Sequence, residues 1–295
     1  MASIAPDLAA TVAAIVDGGS LEAAARNLRI TPSAVSQRLK TLEQQVGRVL
    51  IVRGRPATAT ASGEAVVRLA RQTALLAHET LSNLGLDEGD ARVDVPLAVN
   101  ADSMATWFLP PLARLSASQG IDFDLHRDDQ SFTARLLESG EVMAAVTSES
   151  HAVPGCTVSP LGVLAYEAVA TQEFVQRWFA DGVTVEALRT APFVNFDRRD
   201  ALQDEWLTSR GVDPRDVPRH HVPASHDFAQ AVTLGLGWGL LPGPQLAAAL
   251  ASGAVIPLGG EQVRVPLFWQ QWNLRSTILD AIAAEVADEA RRVLS

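Results

Sequence analysis

The sequence predicts an all-α N-terminal part, a long helix and then a larger α/β part, all within one chain of 295 residues. Two observations favour this division. Up to residue 60, helical periodicity and strong capping residues recur at short intervals, whereas from Val93 onward short apolar strands alternate with helices. The composition, with 47% hydrophobic and 20% charged residues, is that of an ordinary globular protein long enough for two or three domains.

The first 47 residues contain the start and stop signals of three short helices. Gly18-Gly19 ends the first of them, and Ser20 is a good N-cap for the second. Thr31 caps the third, with Pro32 at the first helical position, where its missing N–H is harmless. The predicted helices cover residues 6–17, 20–28 and 31–46.

A wing of two short strands is predicted directly after the third helix. Val49–Arg53 has the pattern of a strand, and the stretch GRPATATASG that follows has the pattern of a turn and a second strand. Two short helices joined by a tight break and followed by a wing are typical of a winged helix-turn-helix. The second helix of such a unit enters the major groove of DNA.

The outer face of the third helix carries side chains that suit DNA. Hydroxyl and amide groups can contact base edges, and cations can contact a guanine or a phosphate. At the predicted wing tip, arginines would hold the sugar-phosphate backbone or the minor groove rather than distinguish bases. The alternative is an ordinary amphipathic helix with a solvated face, which the preceding helix and the wing disfavour. The predicted DNA-binding residues are Thr31, Pro32, Ser33, Ser36, Gln37, Arg38, Lys40, Arg53 and Arg55.

The distribution of charge supports a DNA-binding N-terminal part. The whole chain carries a formal charge of −10, from 24 cations and 34 anions. Residues 1–60 hold seven cations and four anions, a balance of +3, so the remaining 17 cations and 30 anions give −13. The nucleic-acid face therefore belongs to the N-terminal fifth, and the rest of the chain is acidic.

Thr60 is the N-cap of a long helix predicted from Ala61 to about Leu84. A helix of this length between two domains is predicted to lack an intramolecular partner, so its apolar stripe is expected to pair with the same helix of a second subunit. A polar, glycine-containing hinge follows it. The stripe consists of Val66, Leu69, Ala70, Thr73, Leu76, Ala77 and Leu84.

The region from Val93 predicts a mostly parallel sheet flanked by helices, because apolar strands and helices alternate along it. It divides into two similar α/β halves of roughly a hundred residues each. Two such halves predict a two-lobed clamshell with a cleft between the lobes.

Polar residues at strand ends are the candidates for binding a small molecule. Asn100, Asp102 and Ser103 stand where a strand ends and a helix begins, so exposed N–H groups there could hold a carboxylate. Asp102 would repel a carboxylate if it faced inward, yet it could bind an ammonium group. The alternative is that Asp102 or Ser103 simply caps the helix.

Further acidic and hydroxyl residues follow other strands. Asp124, Asp128 and Asp129 lie along and just past the second strand, where they would favour a cationic ligand; the alternative is that they are solvated loop acids. Thr147 ends the third strand, and Asp197 follows another strand end. Such ends are cleft positions in open α/β sheets.

Several enzyme and metal sites are excluded by spacing. Ser225-His226-Asp227 contains triad residue types, but neighbours in sequence cannot meet in triad geometry. His220 and His221 would point to opposite sides of a strand, and no cysteine or glutamate cluster completes a metal site. The stretch GLGWG precedes a strand, so it is not a nucleotide-binding turn. We expect neither catalysis nor a cofactor.

The sequence also lacks signals of export or membrane insertion. Its first residues carry Asp7 and Asp17 and no basic segment, unlike a signal peptide, and no run of about 18 apolar residues occurs. The single Cys156 excludes an internal disulfide framework. A cytoplasmic location is the expectation.

The chain resembles the LysR-type transcriptional regulators over essentially its whole length. The stretch AAARNLRITPSAVSQRLKTLEQQVGRVLIVR stands where that family has its winged helix-turn-helix signature, and GLGWGLLP where its effector domain turns from helix to strand. Within the family, LAVNADSMATWFLPPL and VNFD are similar to the ArgP/LysG branch, whose members regulate the export of basic amino acids.

The resemblance implies a homodimer joined by linker helices, commonly assembled as a tetramer of compact and extended subunits. It implies an effector domain like a periplasmic binding protein, with lysine, arginine or histidine as effector. It also implies activation of an exporter gene, with one effector promoting and another blocking the release of RNA polymerase.

The resemblance further implies positions for the effector site. It places Ser103, Thr147 and the segment Ser225-His226-Asp227 at the cleft between the lobes, and Asp128 or Asp129 at the end of the second strand. One departure is Pro32, where many relatives carry a polar residue, often Gln. This departure removes one possible base contact.

We therefore predict an effector-responsive DNA-binding regulator with promoter DNA, RNA polymerase, a basic amino acid and further copies of the chain as partners. The alternative is an effector-insensitive architectural protein that covers or bends A·T-rich DNA. The predicted boundaries are 1–60 for the winged helix-turn-helix, 61–86 for the linker helix, 87–92 for the hinge and 93–295 for the effector domain. Its first lobe would comprise 93–164 and 267–295, and its second lobe 165–266.

Overall fold

The computed structural model describes residues 3–86, 92–127 and 133–294. The chain divides into two compact units. The first comprises Met1–Val99, Leu112–Ser159 and Trp269–Glu285, and the second comprises Asn100–Pro111, Pro160–Phe268 and Val286–Ser295. Most of the predicted hinge, together with Asp128 and Asp129, lies outside the described residues.

The three N-terminal helices form as predicted. The Ser20 hydroxyl accepts the Ala23 N–H at 3.1 Å, and the Thr31 hydroxyl accepts the Ala34 N–H at 3.2 Å, so both predicted N-caps are confirmed. Gly47 ends the third helix with φ of 71°, a left-handed conformation that glycine adopts without strain. The helices are α1 (Pro6–Gly18), α2 (Leu21–Asn27) and α3 (Pro32–Val46).

The wing is present but shorter than the sequence pattern predicts. Its strands β1 (Ile51–Val52) and β2 (Thr58–Ala59) pair in antiparallel fashion. The Ala57 N–H donates to the Gly19 carbonyl at 2.8 Å and so ties the wing to the turn after α1. The wing is therefore fixed to the helical core as well as to its own partner strand.

The long helix α4 (Ala61–Asn83) begins at its predicted cap, where the Thr60 hydroxyl accepts the Gly63 N–H at 3.1 Å. The expectation that this helix lacks an intramolecular partner is wrong for its first half. Val66, Val67 and Ala70 are buried in the same core as α1, and α4 also contacts a helix of the following α/β region. The side that remains exposed carries Leu69, Leu76, Leu81 and Leu84.

The α/β part of the first unit contains three parallel strands in the order β5–β3–β4. They are β3 (Val93–Val99), β4 (Ile121–Arg127) and β5 (Ala144–Thr147). Val93 pairs with Ile121 and Leu97 with Ala144. Most of α6 (Leu109–Gln119), the helix α7 (Thr133–Ser139) that contacts α4, and the first half of α13 (Thr277–Val293) belong to this unit.

The second unit begins with α5 (Ala101–Thr106) and contains most of the long strand β6 (Cys156–Ala170). Its other elements are α8 (Gln172–Trp178), α9 (Val185–Thr190), β7 (Phe193–Asn195), α10 (Leu202–Ser209), β8 (Arg219–His221), α11 (Ser225–Thr233), β9 (Gly239–Pro242), α12 (Gly243–Ala251), β10 (Ile256–Pro257) and β11 (Val263–Trp272), whose residues from Trp269 onward belong to the first unit. The parallel strands β7 and β8 form a small separate sheet. A core of apolar side chains that includes Val169, Val194, Phe228 and Leu241 lies among β6, β7, α11 and β9.

The sheet of the second unit is less parallel than the sequence predicts. Strands β9 and β10, which α12 joins, both pair with β6 in antiparallel fashion. Three elements were also not predicted, namely α9, α12 and β10. Each is short or, for α12, rich in alanine without a polar face, so its periodicity is weak.

No single helix of the described chain is long and apolar enough to cross a membrane. Helices α1 and α2 together reach the required length only across a bend of 118°.

Candidate DNA-binding and effector sites

The outer face of α3 is an exposed polar surface. Pro32, Ser33, Ser36, Gln37 and Lys40 are exposed, whereas Val35, Leu39 and Leu42 on the opposite face are buried. The apolar face thus fixes the helix on the core, and the polar face is left free to enter a DNA groove.

Three residues of the predicted DNA surface also make contacts within the protein. The Thr31 hydroxyl lies 2.9 Å from that of Ser33 while it caps α3. The Arg38 guanidinium lies 3.7 Å from the Asp7 carboxylate, a distance that gives a weak exposed ion pair. The Thr31–Ser33 contact and the Arg38–Asp7 ion pair are exposed, so contacts to DNA can replace them at little cost.

The wing presents two more cations, since Arg53 and Arg55 are exposed around the turn between β1 and β2. The strand β1 is held against α3 because the Leu50 N–H donates to the Glu43 carboxylate at 2.8 Å. Gly63 of α4 packs so closely on the Leu50 carbonyl that a Cβ there would collide with it. The helix α3, which we call the recognition helix, therefore forms one rigid support with the wing and α4, and this support carries the exposed cations and amides.

The start of α5 is not capped by a side chain. Asn100 occupies the N-cap position without a side-chain cap bond, so the alternative in which Asp102 or Ser103 merely caps this helix is wrong. Asn100 is 3% exposed and Ser103 is fully buried. Within the described residues, the Asn100 amide and the Ser103 hydroxyl have no hydrogen-bond partner. Buried polar groups without partners are costly, so their presence points to a polar ligand.

Asp102 lies at the centre of a hydrogen-bond network in the second unit. The Tyr166 hydroxyl, from β6, donates to its Oδ2 at 2.7 Å, and the Ser225 hydroxyl, at the start of α11, also bonds to it. Burial raises the pKa of the Asp102 carboxyl above its ordinary value, although both hydrogen bonds act in the opposite direction. Burial and the neighbouring Asp102 raise the pKa of Tyr166 well above its ordinary range, so its hydroxyl keeps its proton and donates it.

A second group of polar residues follows β7, which contacts α11 as α5 does. The Asn195 amide donates to the Asp197 and Asp200 carbonyls at 2.8 and 3.3 Å, while its Oδ1 is buried and has no partner among the described residues. The Asp197 carboxylate accepts the N–H groups of Arg199 and Asp200 at 2.7 and 3.1 Å. Asp197 thus stabilises a loop, and Asn195 offers the free acceptor.

The other predicted effector residues lie in different surroundings. His226 and Asp227 are exposed on the first turn of α11, whereas their neighbour Ser225 is buried. Thr147, in the first unit, is fully buried and accepts the Glu149 N–H at 3.0 Å. Asp124, also in the first unit, lies 3.0 Å from His126 and lines a groove of about 840 Å³. Asp128 and Asp129 are outside the described residues.

Two residues of the Asp102 network escaped the sequence analysis. Tyr166 stands in an apolar strand pattern, which predicts a buried side chain and no polar role. Its being the only tyrosine of the chain was the one sequence feature that could have marked it as a functional residue. Gln245 donates to the Ser225 hydroxyl at 3.1 Å from α12, a helix that the sequence pattern did not predict. Both lie far along the chain from Asp102, so no local spacing could reveal them.

Two family models match the chain. Residues 7–64 match the bacterial regulatory helix-turn-helix protein, lysR family, and residues 91–289 match the LysR substrate binding domain. Among curated relatives, the HTH-type transcriptional regulator LysG of Mycobacterium tuberculosis (strain ATCC 25618 / H37Rv) is 44% identical over 290 residues, which cover 98% of this chain and 93% of that protein. The lysine export transcriptional regulatory protein LysG of Corynebacterium efficiens is 44% identical over 285 residues, which cover 95% of this chain and 96% of that protein.

Solved structures agree with this relationship. The crystal structure of ArgP from Mycobacterium tuberculosis has a TM-score of 0.87 and 43% identity, with 99% of each chain covered. Full-length LysG from Corynebacterium glutamicum with bound effector Arg has a TM-score of 0.78 and 37% identity, again with 99% of each chain covered. The helix-turn-helix, the α/β region and these similarities lead to one conclusion: the chain belongs to the LysR family of DNA-binding transcriptional regulators.

Proposed function

We propose that this regulator senses a basic amino acid and controls transcription of an amino-acid exporter gene. The observation that carries the proposal is the Asp102 carboxylate at the start of α5, where the neighbouring Asn100 and Ser103 side chains are buried and have no hydrogen-bond partner among the described residues. A cationic ligand would offset the cost of burying this charge. The relatives named for lysine export, and the relative solved with bound arginine, support the same ligand class.

Within this proposal, residue types divide the work of binding. Asp102 accepts hydrogen bonds from the cationic group of the effector, an ammonium or guanidinium. Asn100 and Ser103 supply the free amide and hydroxyl for the remaining polar groups of the amino acid, and Asn195 supplies a further acceptor. In the second unit, Asp197, His226 and Asp227 stay as weaker candidates for effector binding. The remaining candidates rest on the sequence pattern alone, namely Asp124, Asp128, Asp129 and Thr147.

The proposal also covers DNA and assembly. The residues from Thr31 to Lys40 contact base edges and phosphates of promoter DNA, and Arg53 and Arg55 contact the backbone or minor groove. The exposed leucines of α4 join two subunits, which commonly assemble further into a tetramer. RNA polymerase is the partner through which the bound regulator acts, and the cytoplasm is its compartment. The proposed domains end at residue 60 for the winged helix-turn-helix, at 86 for the linker helix and at 92 for the hinge. The effector domain of two lobes follows.

An effector must bind one quaternary arrangement better than another, because a ligand with equal affinity for both shifts no equilibrium. The architectural alternative needs no ligand. It therefore offers no reason for the buried, unpartnered amide and hydroxyl groups beside Asp102.

The test is the melting temperature of the purified protein with lysine, arginine, histidine and leucine. A ligand that binds the folded state raises the melting temperature, by an amount that grows with its concentration over Kd. We expect a saturable rise with one or more basic amino acids and none with leucine. A melting temperature that none of the three basic amino acids changes would contradict the proposal.

A further inference from the structure

We propose that Gln245, Ser225 and Tyr166 form a directional hydrogen-bond chain that holds Asp102 as an anion and so determines the preference for a charged over a neutral amino acid. This inference rests on the proposed function, since it concerns the same ligand. It assigns positioning roles to side chains from three separate elements, α12, α11 and β6.

The direction of the chain follows from the Gln245 amide. Its Nε2 lies 3.1 Å from the Ser225 hydroxyl oxygen and 3.5 Å from the Ser225 carbonyl oxygen. A carbonyl only accepts, so the amide atom beside it is the nitrogen and not the oxygen. The amide therefore donates to the Ser225 hydroxyl, and the single Ser225 proton is left for Asp102, whose pKa the hydrogen bond from Ser225 lowers.

A second donor reaches Asp102 from the opposite direction. The Tyr166 hydroxyl has one proton, and it donates this proton to Asp102 Oδ2 at 2.7 Å. Tyr166 and Ser225 are both buried, so neither donor exchanges its partner for water. Two fixed donors on one carboxyl group stabilise its ionised form, because an ionised carboxylate only accepts hydrogen bonds.

Burial acts against this arrangement. It raises the pKa of Asp102, and it is the largest of the influences on that group. The ionised carboxylate is thus balanced between burial and the two donors, and a cationic ligand favours the ionised state. A neutral amino acid supplies no compensating charge. Loss of either donor would allow Asp102 to take up a proton. The protonated group would then bind a neutral amino acid as well as it binds a cationic one.

Other titratable groups on the surrounding elements are few. Glu167 neighbours Tyr166 on β6, and Asp200 raises the pKa of Tyr166 from the segment before α10. The Asp200 carboxylate accepts the N–H groups of Phe196 and Leu202 at 3.3 and 3.1 Å. On α11, His226 and Asp227 are exposed, and α12 carries no charged residue. Asp102 is therefore the group whose charge the chain governs.

The experiment is isothermal titration calorimetry of the full-length protein with L-arginine between pH 4.5 and 8. Arginine keeps its guanidinium charge over this range, so a change in affinity reports on the protein. For the unaltered protein we expect the affinity to fall as the pH drops through the pKa of free Asp102, by up to about tenfold per pH unit. Asp102→Asn should bind weakly and show no such fall.

The positioning variants are Gln245→Leu, Ser225→Ala and Tyr166→Phe. Each should weaken arginine binding about fivefold at neutral pH, the effect of one net hydrogen bond, and move the midpoint of the pH profile upward. Ser225→Thr keeps the hydroxyl, so it should have the arginine affinity and the pH midpoint of the unaltered protein. Ser209→Ala is the matched control, because among the described residues that hydroxyl donates only to the Trp206 carbonyl of its own helix.

The outcomes separate the two claims. If Asp102→Asn loses binding while Gln245→Leu and Ser225→Ala keep the unaltered affinity and midpoint, the chain has no positioning role and only this inference fails. If the unaltered protein binds no basic amino acid, the proposed function fails with it. A shifted midpoint in folded variants, together with recovery in Ser225→Thr, supports the inference, since a merely structural defect would not move a titration.

Discussion

The recognition helix and the Asp102 network both consist of polar residues, but they meet their hydrogen-bonding needs in opposite ways. On α3, polar groups such as Ser36 and Gln37 are exposed to solvent, which DNA displaces when it binds. Around Asp102, polar groups are buried and either bond to one another or have no partner among the described residues. Substitutions on α3 should therefore change DNA binding without changing stability, whereas substitutions around Asp102 should change both effector binding and stability.

The largest effect is expected for Asp102→Asn. It removes the charge that pairs with the effector, and charge-assisted hydrogen bonds contribute about 1.5–3 kcal/mol, so binding of basic amino acids should weaken roughly tenfold to a hundredfold. Because burial raises the pKa of Asp102, the ionised group opposes folding, and the ligand-free melting temperature should rise. Calorimetry and thermal melting measure the two effects.

Asp213→Asn is the control for this substitution, since Asp213 is a surface acid that pairs only with nearby Arg215 among the described contacts. It should leave arginine affinity unchanged. An Asp102→Asn protein that binds arginine as tightly as the unaltered protein would remove Asp102 from the effector site.

Gly63→Ala tests the rigid support behind the recognition helix. A Cβ at Gly63 would collide with the Leu50 carbonyl, and the backbone there cannot move easily because Leu50 is also bonded to Glu43. We expect a loss of about 1–3 kcal/mol in the free energy of unfolding of this domain, with weaker binding to all DNA. Denaturant unfolding measures the loss.

The control for Gly63→Ala is Ser62→Ala, which removes an atom one position away and should lie within about 0.5 kcal/mol of the unaltered protein. Equal stability of the two variants would show that the contact with Leu50 is not tight.

Gln37→Ala should reduce discrimination between DNA sequences without reducing stability. A bidentate amide contact to a base contributes about 1–3 kcal/mol of discrimination, and an exposed side chain adds little to folding. Binding of selected and scrambled duplexes, followed by fluorescence anisotropy, measures the difference. Gln44→Ala, exposed further along the same helix, should leave discrimination intact. Loss of discrimination in both variants would argue against a specific role of Gln37.

The smallest effect is expected for Arg53→Ala, which should weaken all duplexes equally. Removing one phosphate contact should reduce the slope of log affinity against log salt by about 1. Arg215→Ala removes an equal charge from the acidic second unit and should leave that slope unchanged. Weaker binding to a single operator sequence alone would assign Arg53 to base recognition instead.

The same contrast explains what could be predicted from the sequence. The caps at Ser20 and Thr31 and the glycine at 47 are local signals, and the helix-turn-helix follows from them almost residue by residue. The burial of Val66 and Ala70 against α1 was missed because a stripe shows that a helix face is apolar but not what covers it. Tyr166, which donates to Asp102, and Gln245, which donates to Ser225, come from elements distant in sequence from Asp102, and only the fold brings these residues together.

The central claim, that effector binding in the α/β region controls DNA binding, is tested most directly by footprinting on promoter DNA with and without L-arginine. The DNA can be obtained by selection from genomic fragments with the full-length protein. We predict that arginine changes the affinity or the footprint of the unaltered protein and leaves those of Asp102→Asn unchanged. Identical footprints of the unaltered protein at zero and saturating concentrations of arginine, lysine and histidine would contradict the account and favour an architectural DNA-binding protein.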